Sequence, residues 1–488
     1  MSSNIDYSKP TARDEPLIEG NRIGGRSTPG SGGVEVLDPS NGLVLAVVPR
    51  SGTSEVDAAV EAASAASSGW AAAAPQERTA ILARWSELIV AHREELAATA
   101  TAEMGKLLRE SRGEVDRAVA EINFMAGESL RTNGETFPSA TPGMLVYSTR
   151  VPVGTVAAIT PWNFPIVAPV RKIAPALATG NTVVLKPAAE APLSSLALVD
   201  LLREAGLPDG VVNVVCGSGT EAGAALIEHP GIHAITFTGS TAVGRNIAES
   251  AGRRLIPVQL ELGGKNAIYV DETADLDRAV PDIVAASVQA SGQRCTAISR
   301  VLVHSAVADA LVERLASAYD SLAVGAGTDP SSDVGPLISD RQKQTVHRYL
   351  QTSVDEGAVV VTRRRDVPDG NYAPPLVLDR VTPSMTVARE EVFGPVLSVI
   401  RVTGHQEAIE VANTSEYGLA AAVFSTDIGV AMRFAHEARA GMIHINHGTA
   451  SQPHVPFGGV GSSGMGPYSI GHTSQEFFTK MKVVYLQG

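Results

Sequence analysis

Ala234-Ile235-Thr236-Phe237-Thr238-Gly239-Ser240-Thr241-Ala242-Val243-Gly244 is an apolar run that breaks into a glycine turn and then into a helical pattern reaching about residue 251. A strand buried on both faces of a parallel sheet reads as such a continuous apolar run. Residues 156–160, 182–186 and 211–215 have the same form, each closed by Gly, Pro or Ser/Thr and followed by a helical segment. A repeat of roughly 25 to 30 residues is the βαβ rhythm of a parallel sheet. Ligands of such sheets bind at the carboxyl ends of strands. Attention therefore falls on Pro161-Trp162-Asn163-Phe164-Pro165, Lys186-Pro187 and the glycine turn at Gly239. A glycine turn opening a helix aims free N–H groups and the positive dipole end at an anion, for which a pyrophosphate is the natural occupant. A plain helix start reads the same way.

Upstream, Gly217-Ser218-Gly219-Thr220-Glu221-Ala222 matches a dinucleotide fingerprint, but no acidic residue follows a second strand at the usual distance of about 20 residues in a convincing context. Gly219 and Gly223 still permit close approach of a flat ring. Before the first strand, residues 1–33 read as a loose arm with a short hairpin. Residues 55–68, 76–103 and 106–131 read as helices, the second carrying Ile81, Trp85, Leu88 and Ile89 at helical spacing. The 488 residues imply two to four domains. A formal net charge of −13 argues against nucleic acid. The polar amino terminus lacks a signal or transit pattern, and no stretch reaches about 18 uninterrupted apolar residues. A soluble cytoplasmic protein is expected. No Cys/His cluster has metal-ligand spacing, so no metal is expected.

Downstream, Val258-Gln259-Leu260-Glu261-Leu262-Gly263-Gly264 places a glutamate in an apolar strand. Burial raises a carboxyl pKa and makes a candidate general base; a strand-end glutamate bonded to a turn is the plainer alternative. Residues 275–290 look helical and lead to Ser291-Gly292-Gln293-Arg294-Cys295-Thr296. Cys295 and Cys216 are the two cysteines of the chain. A positive neighbour such as Arg294 favours the nucleophilic thiolate, whereas a buried cysteine acting as a small hydrophobe is common. Cys216 ends an apolar strand and reads as structural. A second alternating region spans 301–424, and the tail at 477–486 ends in a strand that seeks a sheet edge, in this chain or another.

Pro161-Trp162-Asn163-Phe164-Pro165, Phe237-Thr238-Gly239-Ser240-Thr241, Leu260-Glu261-Leu262-Gly263-Gly264-Lys265, Gly292-Gln293-Arg294-Cys295, Glu391-Val392-Phe393-Gly394-Pro395 and Pro456-Phe457-Gly458-Gly459 occur in that order. Together they resemble the NAD(P)-dependent aldehyde dehydrogenase superfamily, closest in motif to semialdehyde dehydrogenases. The resemblance implies an α/β fold with two Rossmann-type parallel-sheet domains and a small oligomerisation sheet. The NAD(P)-binding domain would take residues 1–131 and 152–262, the catalytic domain 263–457, and the oligomerisation segments 132–151 and 458–488. It implies Cys295 as nucleophile, Glu261 as base, and Asn163 with the Cys295 N–H as oxyanion donors. Thr160, Trp162, Lys186, Gly223, Gly239, Ser240, Thr241, Gly244, Leu262, Glu391 and Phe393 would meet the cofactor. A homodimer or homotetramer is implied.

Family members that prefer NAD often carry a glutamate three residues after the lysine. Here Ala189 stands there and Glu190 follows, which opens the site to NADP. Arg171 matches an arginine that succinate-semialdehyde members place on the substrate carboxylate, which it fits bidentately. The second such arginine is replaced by Gln289. Phe164 and Phe457 complete the expected aldehyde pocket. An aromatic or broad aldehyde remains the alternative substrate. Glu261 argues against the CoA-acylating branch, the intact motif set against a non-catalytic relative, and the pyrophosphate turn against a cofactor-independent esterase.

Overall fold

The structure, a computed structural model, describes residues 16–363 and 365–487. Residues 1–15 of the arm expected at the amino terminus thus lie outside the described residues. Its hairpin, Asn21–Ile23 with Arg26–Thr28, edges the first large sheet.

That sheet has eight strands. Its five parallel members run in the order Val258–Glu261, Ala234–Thr238, Thr155–Ile159, Thr182–Lys186, Val212–Val214. The chain builds outward from Thr155–Ile159 in one direction, then returns to its other side with Ala234–Thr238. The strand order reverses between these two, and a crevice opens at such a point. Successive residues feed opposite cores: Val156, Ala158, Val183 and Leu185 pack with Trp85, Ile122 and Ile173, while Ala157, Val184, Ile235 and Phe237 pack with Val60, Ile232 and Ile247. Both faces are apolar because both are covered. The stretch 76–103 is two helices, Pro75–Ala91 and Arg93–Met104, broken where His92 leaves helical geometry.

The second large sheet has seven strands, six of them parallel, ordered Leu376–Asp379, Val396–Val402, Ile298–His304, Asn266–Val270, Ala420–Phe424, Met442–Ile445. Its two faces divide in the same alternating way, Tyr269, Leu302 and Val423 on one and Ile268, Val301 and Phe424 on the other. The tail strand Thr479–Gln487 pairs antiparallel with Met144–Pro152 of the same chain along its whole length, and Thr136–Phe137 completes a small sheet. Its outer strand leaves Met481, Val483, Tyr485 and Leu486 exposed. The fold is thus α/β, with two parallel-sheet bodies and a small third sheet. Among the described residues no helix is long and apolar enough to cross a membrane, and no cluster of His, Cys, Asp and Glu could hold a metal ion.

Candidate active site

The two large sheets meet head to tail. The carboxyl end of Val258–Glu261 continues through Leu262-Gly263-Gly264-Lys265 into the amino end of Asn266–Val270. Cys295 likewise precedes its strand, Ile298–His304, and Glu391 and Phe393 precede Val396–Val402. The first sheet thus brings these residues from the carboxyl ends of its strands and the second from the amino ends. Between them lies a cavity of about 1300 Å³. It is lined by Trp162, Asn163, Phe164, Arg171, Gly239, Ser240, Glu261, Leu262, Gln289, Cys295, Glu391, Phe393 and Phe457, among others.

The cysteine is delivered by an abrupt turn. Helix Leu276–Val288 ends, and Ala290, Ser291 and Gly292 follow in left-handed backbone at φ 53°, 58° and 72°. Alanine and serine rarely adopt that geometry and are strained by it. The turn is held by Ser291 Oγ donating to the Gly335 carbonyl (2.8 Å), Gln293 Nε2 to the Ala290 carbonyl (3.1 Å), and the Ile338 N–H to Gln293 Oε1 (2.9 Å). A side chain at Gly292 would collide with the Gly394 carbonyl. The facing loop bends in the same sense, at Phe393 with φ 54°.

Asn163 is buried, and its Nδ2 donates to the Gln293 carbonyl at 2.8 Å. Its amide is thus fastened to the cysteine loop, with a second N–H left. The Cys295 N–H meets no backbone carbonyl among the described residues. Two such donors beside a thiol are what an oxyanion requires. Burial pushes the Cys295 thiol up to about 12; the nearby carboxyls of Glu391 and Glu261 add to this, and Arg294 and Arg171 oppose it. Arg294 is therefore a weak activator. Its guanidinium also bonds Gln289 Oε1, Thr296 Oγ1 (2.9 Å) and Thr449 Oγ1 (3.2 Å). The thiol needs a base.

Glu261 can be that base. Its Oε1 accepts from Ser469 Oγ at 3.1 Å, while Oε2 is buried without a hydrogen-bond partner among the described residues. Burial raises its pKa, partly offset by Lys172. Lys172 is itself lowered by burial and donates to Thr236 Oγ1 at 3.0 Å. The sequence reading missed this lysine. Its signal was there: one ammonium within Val167–Ala178, a helix otherwise almost wholly buried.

On the cofactor side, Ser240 caps helix Thr241–Arg254, its Oγ accepting from the Val243 N–H. The Thr160 hydroxyl is buried without a hydrogen-bond partner among the described residues. Lys186 Nζ donates to the Pro187 carbonyl at 2.6 Å, with Gly223 beside its stem. Glu391 accepts from the Gly264 N–H at 3.1 Å, and any side chain at Gly263 would strike its carboxylate. Burial raises Glu391 to about 7. Trp162 and Phe393 meet edge to face, centroids 5.5 Å apart. An open helix start, an orphaned hydroxyl and a carboxylate held at one edge fit a dinucleotide. Two expected members have other occupations. The Thr241 hydroxyl donates to the Ser462 carbonyl (3.1 Å), and Gly244 lies inside the helix, where a Cβ would meet Leu262 Cδ2 at 2.5 Å. Gly244 is thus packed closely against Leu262.

The family model for the aldehyde dehydrogenase family matches residues 27–484. The chain belongs to the aldehyde dehydrogenase family. It is an NAD(P)-dependent aldehyde oxidoreductase. It is 37% identical over 461 residues to an alpha-ketoglutaric semialdehyde dehydrogenase of Bacillus subtilis, covering 93% of this chain and 94% of the relative. It is 38% identical to the NADP(+) succinate-semialdehyde dehydrogenase of Escherichia coli, covering 89% and 90%. Betaine aldehyde dehydrogenase of Staphylococcus aureus, solved in complex with NAD+, superposes with a TM-score of 0.94 at 32% identity, covering 96% and 95%.

The expected substrate residues are brought to one cavity but not left idle. Arg171 Nε and Nη2 bind the Glu121 carboxylate at 3.0 to 3.2 Å, and the guanidinium lies over the Phe457 ring at 5.0 Å. Phe457 shares a small apolar cluster with Leu419 and Ile470, against which Cys295 packs. Gln289 Oε1 is taken by Arg294. Phe164 lies under the ammonium of Lys106, 4.3 Å from the ring centroid, and Lys106 also donates to the Asn163 carbonyl at 2.8 Å.

Proposed function

We propose that the protein oxidises a short aldehyde bearing a carboxylate, of the succinate-semialdehyde kind, to the corresponding acid. Arg171 carries this reading: a largely buried guanidinium on the wall of the cavity that Cys295 also lines, stacked on the Phe457 ring. The Cys295 proton passes to Glu261, and the Sγ–carbon bond forms as the carbonyl becomes an oxyanion between Asn163 and the Cys295 N–H. When bound, the dinucleotide supplies the acceptor for the hydride whose loss turns the thiohemiacetal into a thioester. Thr160, Trp162, Lys186, Gly239, Ser240, Glu391 and Phe393 would hold it. Once Glu261 has released the thiol's proton to solvent, its Oε2 takes a proton from the water that attacks the thioester, and Sγ departs as a thiolate as the acid forms. Ala189 leaves Lys186 without a carboxylate at the ribose-binding position, which supports use of NADP as well as NAD.

The test is a panel of carboxylated, aromatic and aliphatic aldehydes assayed with both cofactors. A strong preference for the carboxylated members is expected; equal turnover of all three classes would overturn the substrate reading, and strict NAD use the cofactor reading. Glu261→Gln is expected to lower kcat by about 10²- to 10⁴-fold and to slow the burst of reduced cofactor, because the thiol loses its base as well. In the unaltered enzyme thioester hydrolysis should rise with pH, with its midpoint above the ordinary carboxylate range. A burst at the full rate in Glu261→Gln would show that another group deprotonates Cys295, and unchanged hydrolysis would move Glu261 out of the hydrolytic step.

A further inference from the structure

A second arginine faces the same cavity, and no sequence motif drew attention to it. Arg117 comes from helix Leu108–Glu128 and lines the wall near Arg171. Both guanidinium groups share one carboxylate. Glu121 Oε1 accepts from Arg117 Nε at 2.6 Å as well as from Arg171. Two cations on one anion leave one positive charge over. Arg117 Nη1 donates to the Ser451 carbonyl, while Nη2 is shielded from solvent and has no hydrogen-bond partner among the described residues. An unmet buried donor on a charged group is unfavourable, and burial lowers the Arg117 pKa.

We infer that Arg117 is the second arginine of the substrate site and binds the carboxylate tail of the aldehyde, an inference that rests on the carboxylated-aldehyde reading above. The tail supplies what this corner lacks: an acceptor for Nη2 and a second negative charge, giving two guanidinium groups and two carboxylates. Arg171 lies over Phe457 and feels the charges of Cys295 and Glu261. Arg117 lies beside it on the cavity wall, joined to it through Glu121, and its side chain keeps 18% exposure. The position Gln289 vacates is thereby filled from another helix.

Arg117→Gln and Arg117→Lys, made in the full chain, test this with succinate semialdehyde and butanal, which share a four-carbon length. Arg117→Gln should lose about 30-fold in kcat/KM on succinate semialdehyde, mostly in KM, and stay within about threefold on butanal. Arg117→Lys should recover part of the loss. Equal losses on both aldehydes would make Arg117 a structural support only and overturn the inference. If the unaltered enzyme favours succinate semialdehyde and Arg117→Gln keeps that preference, the Arg117 assignment alone falls. No preference in the unaltered enzyme sinks the carboxylate reading, and this inference with it.

Discussion

The two large sheets bring residues to the same cavity by opposite means. The first uses the carboxyl ends of its strands: Asn163 and Gly239 follow strands Thr155–Ile159 and Ala234–Thr238, and Glu261 closes Val258–Glu261. These turns need little unusual backbone beyond glycine. The second sheet uses the amino ends, and there Ala290, Ser291 and Phe393 lie in left-handed conformations. Strain of this kind persists only where the surroundings over-determine it. The difference suggests a division of labour. Regular turns suffice to cradle a large anionic cofactor, whose contacts are many. A reacting sulfur has to be placed within fractions of an ångström, and the strained loops fix it by locking against one another.

The sharpest way to break that comparison is one methyl group on each side. Gly292→Ala puts a Cβ into the Gly394 carbonyl at a φ of 72°, so either the cysteine loop or the Glu391 loop has to move. Misplacement of about 1 Å costs on the order of 10²-fold. kcat/KM should therefore fall about 100-fold or more while the dissociation constant for the cofactor moves less than about threefold. Gly239→Ala meets the Phe237 ring at 2.5 Å and should do the reverse, weakening cofactor binding about tenfold with little change in kcat. Fluorescence titration and steady-state rates on both variants decide it. The same loss in both readouts for both variants would show one rigid unit rather than two strategies.

A milder probe is Trp162→Ala. The Trp162–Phe393 contact ties a first-sheet turn to a second-sheet loop, and an edge-to-face pair contributes about 1 kcal/mol. A loss of roughly fivefold in kcat/KM is expected, carried in kcat, because Phe393 loses its stop while Cys295 keeps its own loop. An unchanged rate would mean that the strained loops hold themselves.

What could be read from the sequence follows the same divide. The strands of the first sheet are apolar runs ended by Gly, Pro or Ser/Thr, so residues 156–160, 182–186 and 234–238 fall within a residue of the strands the structure contains. Glu261 stood out because a carboxylate in an apolar strand is costly. The second sheet's loops gave no such signal: Ala290 and Ser291 carry no mark of left-handed backbone, since small residues read as helix or turn. Arg294 is visible beside Cys295 in the sequence, but its burial and its bonds to Gln289, Thr296 and Thr449 are not. Arg117 and Glu121 lie on a stretch that the sequence marks only as helical; packing against Val167–Ala178 turns them inward. Gly244 fitted an anion-binding turn by spacing, and its packing against Leu262 needed the fold to be seen.

The smallest effect expected lies in stability, and it too separates the sheets. Glu391 sits in a second-sheet loop, and burial raises its pKa to about 7 from 4.5. A carboxyl whose folded pKa exceeds its unfolded value binds more protons in the folded state between the two, so stability is lost as pH rises through that window. Full ionisation of Glu391 opposes folding by on the order of 2 kcal/mol once partial relaxation is allowed. Glu391→Gln keeps an acceptor for the Gly264 N–H and removes the titration. Its melting temperature should exceed that of the unaltered chain by a few degrees at pH 8, and the two should converge as pH falls below 4.5, where the carboxyl becomes protonated in the unfolded state as well. Thermal melts across this range settle the sign. A variant less stable at pH 8 would mean that the ionised carboxylate is held favourably by Gly264 and Lys265, and that this loop, unlike the cysteine turn beside it, is not strained at rest.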